Sequence, residues 1–170
     1  MSTREAVLFI HLASMAIFLM TLGIETLAVA RLTASTSAEE AKNWLAPLRS
    51  VLSLDQYALI AVFLTGGYLI QGLPKDQQPG FIVTVVMFLL ISGLTGMAAG
   101  RYRRMQPLAA GGTNPAPFLR ASLILRIALV LGILLLVSAK PDLAVSFIVF
   151  AVFAVLGVVA ARFGMLSRTH

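Results

Sequence analysis

Five apolar stretches of about 20 residues or more, set apart by polar connections, constrain this chain more than any motif it contains. A helix of that length crosses the hydrocarbon core of a bilayer, and shorter apolar runs as a rule do not. The stretches fall at about 6–30, 51–73, 81–100, 118–139 and 141–163. They predict an all-α, polytopic transmembrane helix bundle in a single domain over residues 1–170. Composition agrees: 59% of residues are hydrophobic and 12% charged, against roughly half and a quarter in soluble domains. Lipid tails can cover that much outward-facing apolar surface, and each helix satisfies its own backbone groups. The lipid bilayer is therefore the first expected partner.

The formal net charge is +6. The basic residues lie between the apolar runs and form no patch beside stacking aromatics, so nucleic acid is not expected as a partner. They read as topology signals, because short loops rich in Lys and Arg stay in the cytoplasm. One side would carry Arg31, Lys42, Arg49, Arg101, Arg103, Arg104, Arg120, Arg162 and Arg168, and the other Arg4, Lys75 and Lys140. This asymmetry predicts an N-terminus outside and a C-terminus inside. Ala28, Val29 and Ala30 before Arg31 have the form of a signal cleavage site. The preceding run is longer than the roughly 7–15 residues of a signal core and contains His11 and Glu25, so the first span is expected to remain. With no cysteine, disulfides, Fe–S clusters and thiolate metal sites are excluded.

Between the first two spans, Ser37 and Glu40 have the S-x-x-E spacing of a capping box. Ala41, Trp44, Leu45 and Leu48 follow at helical intervals, Trp44 suits the headgroup boundary, and Pro47 is a helix breaker. These features predict a short interfacial helix over 37–48. The connection from Arg101 to Pro117 contains Gly111, Gly112, Asn114 and Pro115, so it is expected to be irregular. A tight turn is expected at Lys140, with Pro141 in the first turn of the fifth helix.

Ionisable residues inside a span are costly, and they normally face the bundle interior and find partners. Glu25, Asp55, Arg126 and His11 are the candidates. At about 1.5 Å of rise per residue, Glu25, Asp55 and Arg126 each lie roughly 8–12 Å from the cytoplasmic end of their spans. A buried polar cluster of Glu25, Asp55 and Arg126 would tie spans one, two and four together. The alternative is that each side chain snorkels to the nearby interface.

His11 and Met15 place an imidazole and a thioether one turn apart, a possible soft-metal or haem pair. Phe18, Leu22 and Glu25 continue that face, which is expected to point inward. The bland reading of His11 is a hydrogen bond to a neighbouring helix, and the other histidine, His170, is terminal. Ser92, Gly96 and Gly100 form a small-xxx-small ladder, as do Gly157 and Ala161, while Gly66 and Gly67 offer a close crossing or a local break. The ladders are candidate packing seams and a route to a homo-oligomer.

No P-loop, HExxH, dinucleotide fingerprint or Ser/His/acid spacing occurs, so no enzyme is expected. The order LFIHLASMAIF, a polar loop, then SLDQYALIAVFLTGGYLI resembles uncharacterised bacterial integral membrane proteins, loosely those of the CopD-like copper-resistance and HemJ-like haem-pathway groups. The resemblance covers roughly the first 75 residues. It implies a small helical bundle in a bacterial inner (plasma) membrane, with His11 matching a histidine that binds haem or metal. Three function classes stand open: a noncatalytic membrane component, a small transporter or permease-like protein, and a haem- or copper-binding protein using His11. The residues themselves call for no cofactor, and haem b or copper enters only with the third class.

Overall fold

The computed structural model describes residues 1–35, 37–72, 78–105, 116–139 and 142–166. These form five helices: α1 (Thr3–Ala34), α2 (Ala38–Ile70), α3 (Gln78–Met105), α4 (Ala116–Ala139) and α5 (Leu143–Leu166). All five are long and apolar enough to cross a membrane. The chain is thus a transmembrane bundle. At about 1.5 Å per residue, α1 and α2 run well past the roughly 30 Å of a hydrocarbon core, so their polar ends reach beyond it.

Local chemistry starts three of the helices. Ser2 Oγ accepts the Glu5 N–H at 3.3 Å, and Glu5 Oε2 accepts the Ser2 N–H at 2.7 Å, a complete capping box at the head of α1. The S-x-x-E spacing recognised at Ser37 is present at Ser2 as well. Ser37 Oγ accepts the Glu40 N–H at 3.2 Å and opens α2. Asp142 Oδ1 accepts the Val145 N–H at 2.8 Å, so α5 begins after Asp142. Pro141 and the turn at Lys140 lie outside the described residues, as does 106–115 of the third connection.

The separate interfacial helix over 37–48 does not form. The helix opened by Ser37 continues through Pro47 to Ile70. Proline removes the bond to the Asn43 carbonyl and crowds it, which disfavours helix locally. Packing outweighs that cost: Leu48 and Leu52 are almost fully buried against the core, and Leu45 packs on it. Trp44 is half-buried with the Arg31 guanidinium 5.9 Å from its ring, a contact that ties the first turns of α2 to the end of α1.

Successive helices run antiparallel. Arg4 lies against Gly72, His11 against Thr65 and Arg31 against Trp44, which sets the α1/α2 register. Phe63 and Phe88 stack at 5.8 Å between α2 and α3. Arg101 sits 4.0 Å over the Phe118 ring, and Met87 meets Gly132, between α3 and α4. Gly157 meets Leu125 between α4 and α5. Since α1 also packs on α4, the first four helices close into a ring, and α5 lies outside it against α3 and α4. α4 is the most buried helix and α5 the least. The outward faces carry exposed Phe9, Met20, Leu64, Ile82 and Ile148, where lipid is the complementary solvent.

Small residues do not all mark seams. A Cβ on Gly157 would stand 2.7 Å from Leu125 Cδ1 and 3.0 Å from Ala128 Cβ, so this glycine permits the α4/α5 crossing. Gly132, not singled out in the sequence, is equally tight, since a Cβ there would overlap Met87 Cε. Gly66 passes under the His11 ring, with a Cβ 3.3 Å from Cε1. Among the described residues, a Cβ on Gly67 or Gly100 would meet nothing within 4 Å, and one on Gly96 only Gln56 Nε2 at 4.0 Å. Among the described residues, the glycines of the expected Ser92–Gly96–Gly100 seam therefore bring no other helix into close contact, because α3 is met along other faces.

Candidate functional site

In the middle of the four-helix ring, Glu25, Asp55 and Arg126 come together, each no more than 1% exposed. Hydrophobic periodicity places them there. Glu25 continues the buried Phe18–Leu22 face of α1, Asp55 lies on the Leu52–Leu59 face of α2, and Arg126 lies between Leu123 and Leu129 on α4. Arg126 Nη2 donates to Glu25 Oε1. Its Nη1 lies 3.1 Å from Thr95 Oγ1 and 3.4 Å from Asp55 Oδ2. Thr95 Oγ1 is itself 3.4 Å from Asp55 Oδ2. Thr21 Oγ1 lies 2.6 Å from Asp55 Oδ1. Glu25 Oε2, Arg126 Nε and the hydroxyl of Ser122 have no hydrogen-bond partner among the described residues.

The snorkelling alternative does not describe these side chains, since full burial leaves none of them at an interface. Thr21 and Thr95 went unread in the sequence. Thr21 is one turn before Glu25 on the same face, and that spacing was a usable signal. Thr95 is an isolated hydroxyl that nothing in the sequence distinguishes from Thr84, and only the approach of α3 gives it a role.

His11 is half-buried, and its Nδ1 lies 2.9 Å from Thr65 Oγ1 on α2. Thr65 Oγ1 also lies 2.6 Å from the Ala61 carbonyl oxygen, and the His11 ring has a backbone hydrogen bond to Val62, so the imidazole is tied to α2 at two points. Met15 is half-buried one turn further on. No group of three His, Asp or Glu side chains able to hold a metal occurs among the described residues. Imidazole and thioether from one helix make a donor set too small for a closed copper site, so these residues do not by themselves fit that ion.

A groove of about 340 Å³ opens between α2 and α3, walled by Leu59, Phe63, Phe88 and Leu89, with Gln56 and Ser92 as its polar residues. Glu25, Asp55 and Arg126 are not among the residues that line it.

The chain matches no family model, no curated protein and no solved structure.

Proposed function

We propose that this chain is a noncatalytic, multi-pass component of a bacterial inner membrane, with its N-terminus outside and its C-terminus in the cytosol. The observation that carries the reading is Arg126: a fully buried guanidinium with partners on α1, α2 and α3. Such a side chain in a bilayer is costly unless paired, and once paired it joins every helix of the ring in one arrangement. A bundle locked in this way suits a scaffold that assembles with a second copy or another membrane protein. The orientation rests on Arg31, Arg49, Arg101, Arg120 and Arg162, which all lie toward the same end of the antiparallel bundle.

The test is absorption and metal analysis of the detergent-purified protein, together with reporter fusions at both termini. A colourless, copper-free preparation with a cytosolic C-terminus supports the reading. A Soret band that vanishes in His11→Ala would replace it with a haem protein, and a periplasmic C-terminus would reverse the topology.

A transport reading is favoured by one feature, the groove between α2 and α3, one of whose lining residues, Gln56, is the chain neighbour of Asp55. It predicts dissipation of an imposed pH gradient by vesicles carrying the protein, abolished in Glu25→Gln. Tight vesicles exclude proton transport.

A further inference from the structure

Thr21 Oγ1 makes two short contacts, 2.6 Å to Asp55 Oδ1 and 2.7 Å to the carbonyl oxygen of Phe18. Both distances are those of hydrogen bonds between oxygens. A hydroxyl has one proton to donate, and a backbone carbonyl has none. Threonines within helices commonly give that proton to a carbonyl one turn back, as Thr26 does to Leu22 at 2.7 Å and Thr65 to Ala61 at 2.6 Å. With the Thr21 proton on the Phe18 bond, the remaining contact needs a proton from Asp55.

We propose that the cluster is a proton-binding site in which Asp55 is a neutral carboxylic acid. Its Oδ1–H donates to Thr21 Oγ1, and Thr21 donates to the Phe18 carbonyl. The proton comes from water, one carboxylate and one proton giving one acid, with no other bond changed.

The charge count leads to the same state. α1 presents Glu25 to the cluster, α2 presents Asp55, α3 presents the uncharged Thr95, and α4 presents Arg126. α5 packs on α3 and α4 from outside the ring. Arg31, Arg49, Arg101 and Arg162 are exposed toward the bundle's end, and Arg120 is half-exposed. Two ionised carboxylates beside one guanidinium would leave a net negative charge in a site without solvent, which is strongly unfavourable. One proton removes it. The remaining ion pair is Glu25 with Arg126, the closer of the two carboxylate contacts. Asp55 Oδ2 receives Arg126 Nη1 at 3.4 Å, so Asp55 is the more distant of the guanidinium's two carboxyl partners.

The experiment is infrared spectroscopy of the full-length protein in detergent at neutral pH, with a thermal melt of each variant. The wild type should show the carbonyl stretch of a protonated carboxyl group. In Asp55→Asn that band should be absent and the melting temperature unchanged, because the amide N–H still reaches Thr21 and its oxygen still faces Arg126. In Thr21→Val the band should persist at a shifted frequency, having lost its acceptor. Absence of the band in the wild type, its survival in Asp55→Asn, or a marked loss of stability in Asp55→Asn would overturn the proposal. A band unmoved in Thr21→Val would do the same, and that variant still decides the matter if Asp55→Asn does not fold.

Discussion

Arg126 on α4 and Asp55 on α2 meet at 3.4 Å although their helices stand at opposite corners of the ring and share no backbone contact. Only a side chain as long as arginine spans that diagonal, with Thr95 of α3 filling the space between. The cluster therefore joins all four helices of the ring through side chains.

Removing Arg126 strands the buried Glu25 carboxylate, so Arg126→Met should cost about 3–5 kcal/mol. Glu25→Leu should cost less, because Asp55, 3.4 Å from Arg126 Nη1, can ionise and take over as its partner. The double variant should be more stable than Arg126→Met, because the carboxylate left alone in that variant is gone. Denaturant unfolding of the four proteins in detergent measures this, and simple additivity would show that the pair is not coupled.

The tight glycines separate by what stands against them. Gly157→Ala meets Ala128 Cβ and the Leu125 backbone at 3.3 Å, which cannot swing aside, and should cost about 1–3 kcal/mol. Gly132→Ala meets the flexible end of Met87, with Phe153 Cβ no closer than 3.3 Å, and should cost less than Gly157→Ala. Gly100→Ala, whose Cβ meets nothing within 4 Å among the described residues, should lie within about 0.5 kcal/mol of wild type. Thermal melts of the three variants check the order.

Pro47 is exposed and interior to α2. Pro47→Ala restores the hydrogen bond to the Asn43 carbonyl and should stabilise the protein, by up to about 3 kcal/mol. A loss of stability would mean that the ring itself shapes this part of α2.

The caps of α1 and α5, which lie at the same end of the bundle, are individually replaceable. Ser2→Ala removes one half of the α1 capping box, and Asp142→Ala removes the acceptor of the Val145 N–H. Each should cost about 1 kcal/mol and leave the buried cluster intact. Amide hydrogen exchange should show fraying confined to the first turn of the altered helix.

Much of this architecture was legible residue by residue. The expected spans at 6–30 and 118–139 lie inside α1 and α4, because a run of apolar residues announces its own membrane helix whatever surrounds it. The Pro47 reading failed for the opposite reason. A proline disfavours helix on local terms, whereas burial of Leu48 and Leu52 in the core is a tertiary quantity. The glycine readings divided in the same way. Spacing identified Gly157, yet gave no means of telling it from Gly100, where an added Cβ meets nothing within 4 Å among the described residues.

Taken alone, the order of residues determined the solvent, the helices and their number, since hydropathy and length act within each segment. Which side chains touch was decided by how the helices close into a ring. Arg126 can reach Asp55, and Thr21 and Thr95 can hold that carboxyl, only once four segments distant in the chain share one interior.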